Sequence, residues 1–234
     1  MSCLLRLMLL LMVPVSSFAA PLQAVLIGEY RPLKAEEGEP VTEGFEASWL
    51  AGLGEVLGRD IVLVDASAQA DLRIGAVASG AAYHTSEMAA LTAAETGPAD
   101  WKELAGEQFC TTTGSPHAAV AVSRFGGIAR TYPSAAQALI GLKLGECKAV
   151  VGDHLLLQQI AALPEWRRYN RLLPAPEKAA LSLRVEADDA ALQQRIEQSI
   201  SIGRGKQVLT DVTQHWIDEV AFQAYVLADT LDCH

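Results

Sequence analysis

The 234-residue sequence predicts an α/β protein of two lobes, each a mostly parallel sheet flanked by helices. Three observations lead there. Between Gln23 and Val77 a strand, an amphipathic helix and two more strands follow one another. From Pro98 to Leu163 a second α/β round repeats that order. A last strand over Ala179–Glu186 and the helices after it then return the chain to the first lobe.

Gln23–Ile27 (QAVLI) is a β-branched strand, with Gly28 and Pro32 at its exit. Lys34–Pro40 is a charged loop punctuated by Gly and Pro. Phe45, Trp49, Leu53, Val56 and Leu57 recur at three- and four-residue steps, so Phe45–Leu57 is a helix that Gly58 ends. Strands follow at Asp60–Val64 and Ala70–Val77, and strand–helix–strand order implies parallel pairing through crossover helices. Ala78–Gly97 is a soft stretch rich in Ala, Gly and Thr.

The second round opens with a short helix over Pro98–Gly106 and a strand over Gln108–Thr112, which runs through Thr113-Gly114-Ser115-Pro116 into a helical segment. Ser134 has the position of an N-cap for a helix that Gly145 stops. Cys147–Gly152 is a buried-type strand with Asp153 at its carboxyl end, and His154–Leu163 is a helix ended by Pro164. Helices are expected over Asp188–Ile202 and Val208–Trp216, with one more in the partly apolar tail Ile217–His234. No internal repeat and no low-complexity segment is present.

The amino terminus has the layout of a cleaved secretory signal. Met1–Arg6 is a short positive start, Leu7–Val15 is apolar, and Ser17-Phe18-Ala19 supplies small residues for cleavage after Ala19. Taking 19 residues from 234 leaves 215, and losing Arg6 without an acid moves the net charge from −10 to −11. The apolar run is too short to span a bilayer and Pro14 breaks it, so the mature chain is expected to be periplasmic and not membrane-spanning. Such an acidic protein lacks the basic footprint that nucleic acids require.

Cys3 leaves with the signal, so an oxidising compartment invites one disulfide among Cys110, Cys147 and Cys233 and leaves one thiol over. The histidines (84, 117, 154, 215 and 234) do not fall at helical ligand spacing, there is no Cys-x-x-Cys, and Cys233-His234 reads as a tail end, so no metal is expected. No Gly-x-Ser-x-Gly, His-Glu-x-x-His or Gly-x-Gly-x-x-Gly occurs, and the glycine pair Gly203-Arg-Gly205 carries little weight. No enzyme and no cofactor is expected.

Two places can carry binding chemistry. Thr111–Pro116 turns from strand to helix, with Pro116 suited to the first turn and Ser115 to the N-cap. Unpaired N–H groups and the positive helix end suit a carboxylate there, although an ordinary capped helix has the same sequence. Asp153 stands where open α/β sheets place ligands, and either receives an ammonium group or caps the next helix. Tyr30 can lay a ring against a ligand or pack, while Glu46 suits a helix start and Trp101, Trp166 and Trp216 read as packing.

The segments Trp101–Gly106, Gln108–Pro116, Tyr132–Leu139 and Leu144–Asp153, in that order and spacing, resemble the family 3 extracellular solute-binding proteins. Tyr30–Leu33, Gly44-Phe45-Glu46 and Ala70–Gly75 agree more loosely, and the likeness covers roughly residues 24–216. It implies the type II two-lobe periplasmic-binding-protein fold, with lobe one over 20–92 and 179–234 and lobe two over 93–178. It also implies a ligand site of Tyr30, Gly114, Ser115 and Asp153, to which Thr113 of the same turn and Ser79 are added as candidates, and a Cys110–Cys147 disulfide with Cys233 free. One departure matters. Where the family has Thr-x-x-Arg, whose arginine clamps the ligand carboxylate, this sequence has Ala78–Thr85 without arginine. Ser79, Arg73 and Arg31 are the substitutes at hand.

The resemblance implies a monomer that closes at a hinge on a small polar solute, amino-acid-like or a small carboxylate, and is read by an inner-membrane permease or sensor. The alternative is an accessory protein that docks on a periplasmic enzyme or receptor without binding solute. A dehydratase-like enzyme on this fold comes third.

Overall fold

The computed structural model describes residues 20–27, 44–65, 67–176 and 181–231. Tyr30, Arg31, the signal segment 1–19 and Cys233 lie outside the described residues.

Two five-stranded sheets carry the chain. The first takes β1 (Leu22–Ile27), β2 (Ile61–Leu63), β3 (Leu72–Gly75), β4 (Ala81–Ser86) and β10 (Leu181–Ala187) in the order β2-β1-β3-β10-β4. The second takes β5 (Met88–Thr92), β6 (Gln108–Thr112), β7 (Ile128–Tyr132), β8 (Ala149–Asp153) and β9 (Arg171–Leu173) in the order β7-β6-β8-β5-β9. Each sheet holds one reversed strand. β10 runs antiparallel to β3 and β4, and β5 antiparallel to β8 and β9, while β2-β1-β3 and β7-β6-β8 pair in parallel.

The soft stretch 78–97 is in fact two strands. β4 and β5 are separated by Glu87 alone, so one extended run of chain leaves the first sheet and enters the second. The sheets therefore change at Glu87, before the boundary expected at residue 92. All five residues of β5 are buried, which lets small Ala89 and Ala90 serve as strand positions that intrinsic preference disfavours. β7 and β9 also lie in stretches with no strand pattern, and β7 is mostly exposed.

The helices form where the apolar spacing requires them. In α1 (Phe45–Leu57) one stripe buries Phe45, Trp49, Leu50, Leu53 and Leu57. Gly58 then takes the left-handed conformation, φ 69°, and its N–H closes the last turn. The segment Pro98–Gly106 forms only a 3-10 turn at Trp101–Leu104, capped by Asp100. α2 (Pro116–Phe125), α3 (Ala135–Lys143), α4 (His154–Ala161) and α5 (Ala190–Ser201) follow. Ser134 and Asp189 cap α3 and α5 by accepting from the Gln137 and Leu192 N–H groups. The expected helix at 208–216 and the tail join in one helix, α6 (Gly203–Leu231).

α6 packs against α1 on one side and α3 on the other, burying Trp216, Ile217, Val220 and Ala224. One apolar core consequently runs through both lobes, from Phe45, Trp49 and Tyr83 to Leu139, Leu142 and Leu157, with Trp216 between. A smaller core of Met88, Trp101, Phe109, Val151 and Leu173 fills the other face of the second sheet. Cys110 and Cys147 are linked, the pairing the resemblance implies, across 37 positions. Closing a loop of that length stabilises by about 3–4 kcal/mol in the chain-entropy account.

Candidate functional site

A cavity of about 60 Å³ lies between the two sheets. From the second lobe it takes the carboxyl ends of β6 (Thr111, Thr112) and β8 (Gly152, Asp153), the amino-terminal residues Ser115 and His117 at α2, and Leu139 and Leu156. From the first it takes His84 of β4 and Leu181 and Leu183 of β10, and Trp216 of α6 completes the wall. The space is ample for ordered water or a small solute.

The two lobes meet chemically at Asp153. His84 Nε2 lies 2.6 Å from Asp153 Oδ2, with side chains only 9% and 11% exposed. The other oxygen, Oδ1, accepts from the Leu156 N–H at 3.2 Å, so Asp153 both caps α4 and joins His84. Burial alone would raise the Asp153 carboxyl. The bond and charge of His84, with donation from Ser86 and the Leu156 N–H, outweigh it and hold the group well below the usual carboxylate range. The His84 ring also stands edge-on to Phe45, centroids 6.0 Å apart.

Ser115 precedes α2 but caps no N–H of it, leaving the hydroxyl for the cavity. Thr111 is 1% exposed and its Oγ1 has no hydrogen-bond partner. A buried hydroxyl without a partner is unusual and costly, which marks where a ligand or water belongs. His117 is buried, and desolvation pushes its imidazole below the ordinary value; Asp153 pulls the other way and His84 adds to the depression. The folded imidazole thus binds its proton less readily than the unfolded one, so this contribution is full above about pH 6.5 and is lost as pH falls through the folded value. Urea unfolding at about pH 7.5 and about pH 5.5 is expected to show a loss on acidification that His117→Asn lacks; equal losses in both proteins would contradict it.

The residues singled out by sequence divide. Ser115 and Asp153 meet in the cavity with His84, His117, Thr111 and Trp216, which sequence reasoning did not single out for binding. Thr113 and Gly114 are exposed and do not line it. Thr113 Oγ1 donates to the Tyr132 carbonyl at 3.3 Å, and Gly114 turns the chain at φ 80° with open space beside it. Ser79 is exposed on the first lobe, where its hydroxyl donates to Glu186, and Arg73 pairs with Glu186 and Asp188. Neither residue lines the cavity, and no arginine or lysine among the described residues does. Glu46 is buried, with the Tyr83 hydroxyl donating to it at 3.4 Å, outside the lining. Among the described residues no group of three or more His, Cys, Asp or Glu is placed to hold a metal ion, and no helix is long and apolar enough to cross a membrane.

No family model matches the sequence, and no curated protein matches it. Solved structures do. The GluR0 ligand-binding core from Nostoc punctiforme in complex with (L)-glutamate superposes with a TM-score of 0.59 at 15% identity, covering 85% of this chain and 100% of that one. A mutant of ArgBP from T. maritima gives 0.58 at 14% identity, covering 85% and 96%. The BvgS VFT2 domain of Bordetella pertussis gives 0.54 at 14% identity, covering 83% and 92%. The chain therefore has the two-lobe fold of the amino-acid-type solute-binding proteins.

Proposed function

We propose that this protein is an exported receptor that closes its two lobes on a small solute for a membrane permease or sensor. The observation that carries the reading is the interlobe cavity, with Thr111 Oγ1 buried and unpartnered beside the uncommitted Ser115 hydroxyl. Polar groups so placed ask for a guest. The likeness supports the same role, since similar structures include a ligand-binding core and the substrate binding protein of an amino acid ABC transporter. The apolar leader with its small-residue cleavage site supports export to the periplasm. No catalytic pair is needed for such capture.

A second reading, docking without a solute, is favoured by the outward face of α6. Phe222, Tyr225 and Val226 are 61%, 55% and 42% exposed there, and no Lys or Arg follows Lys206. A thermal-unfolding screen of the mature protein against amino acids, small carboxylates and polyamines separates the two. A receptor gains about 2.7 kcal/mol at one hundred times the dissociation constant of its solute. A protein that no solute stabilises leaves the docking reading standing.

A further inference from the structure

Asp153 is the only acid lining the cavity among the described residues, and both of its oxygens are already engaged. His84 reaches Oδ2 from the opposite lobe and the Leu156 N–H holds Oδ1. An incoming ammonium group would have to displace the imidazole, because among the described residues no second carboxylate lines the cavity to receive it. The opposite polarity is catered for. The amino-terminal end of the ten-residue helix α2 faces the cavity, Ser115 spends no hydroxyl on capping it, and the Thr111 hydroxyl is buried without a partner. The Ser115 and Ala118 N–H groups bond the Thr112 and Ser115 carbonyls and Pro116 has none, so the two hydroxyls and the positive helix end are what favour an anion. Besides His117 and Thr112 the rest of the wall is largely apolar, with Leu139, Leu156 and Leu183 suited to a short alkyl chain.

We propose that His84 is a specificity-determining residue: it occupies, from within the chain, the seat that a ligand amine would take, so the cavity accepts a short monocarboxylate and rejects the matching amino acid. This rests on the receptor reading above and sharpens it. Propionate and alanine share a carboxylate and a three-carbon chain and differ by one α-amine, so the pair asks whether Asp153 is available to receive that amine.

Calorimetric titration in a carboxylate-free buffer, with propionate and alanine as probes, tests this. Wild-type protein is expected to bind propionate at least about ten-fold more tightly than alanine, the scale on which an unmatched buried polar group discriminates. His84→Asn releases Asp153 and is expected to lower that ratio about ten-fold or more. In the double variant His84→Asn/Asp153→Asn the gain for alanine is expected to disappear. Alanine binding to wild type as tightly as propionate overturns the inference whatever the variants do, and so does an unchanged ratio in a folded His84→Asn protein. Alanine affinity that persists in the double variant overturns it too. If neither probe binds, the inference falls; the receptor reading falls with it only when the broad solute screen is also empty.

Discussion

Replacing Trp216 by alanine is expected to cost about 3–5 kcal/mol of unfolding free energy, the range for deleting a fully packed large aromatic ring. The indole is 5% exposed and sits where three parts of the molecule converge. Its ring meets Phe45 of α1 edge to face, centroids 6.2 Å apart, while the same side chain forms the cavity wall beside Ala138 and Leu139 of α3. Neither helix can move up to fill the space without dragging its own lobe, so the void persists and dispersion contacts are lost on both sides. Phe222 on the outer face of the same helix is the internal control. At 61% exposure, Phe222→Ala is expected to change stability by no more than about 0.5 kcal/mol. Urea unfolding of both variants checks this, and a Trp216→Ala loss as small as that of Phe222→Ala would show that α6 does not wedge the lobes together.

Asp153→Ala is expected to be of similar size, about 3–5 kcal/mol, because it strands His84 against a nearly buried pairing site. About 1 kcal/mol more follows from loss of the α4 cap. Asp153→Asn keeps a good capping residue and isolates the first contribution. The pH dependence has a definite sign. The folded carboxyl titrates well below its unfolded value, so its stabilisation is complete above about pH 4 and declines as pH falls toward the folded value. The gap between wild type and Asp153→Ala, measured by denaturant unfolding, should accordingly be widest near neutrality and narrow below about pH 4. A gap independent of pH would exclude the carboxylate as its origin.

Features set by neighbours in sequence were readable before the fold was known. The α1 stripe, the Gly58 stop and the Ser134 cap depend on residues within a few positions of one another, and they lie where periodicity and capping rules put them. β5 was hidden because its alanines gain strand character only from burial on both faces. Asp153 could be found from its place at a strand end, but the partner that changes its meaning lies 69 positions away across the lobes. No local pattern in Ala78–Thr85 marks His84 as that partner. At Thr111–Pro116 the composition pointed to the correct turn, yet the backbone aims Thr111 and Ser115 inward and leaves Thr113 and Gly114 in solvent. Trp216 reads as packing, and it is packing; its second role as a cavity wall follows only from where α6 lies.

The position of α6 also fixes an order of events. A chain threaded outward from its amino terminus delivers residues 203–231 only after both sheets have emerged. Until then Phe45 and Leu139 lack the indole that joins them, and each half must rely on its own smaller interior. Such distant partners make closure a late and comparatively slow step in maturation. A truncated product that stops short of Trp216 therefore displays greasy inner surfaces to proteases and chaperones, which gives the cell a simple means of recognising unfinished copies.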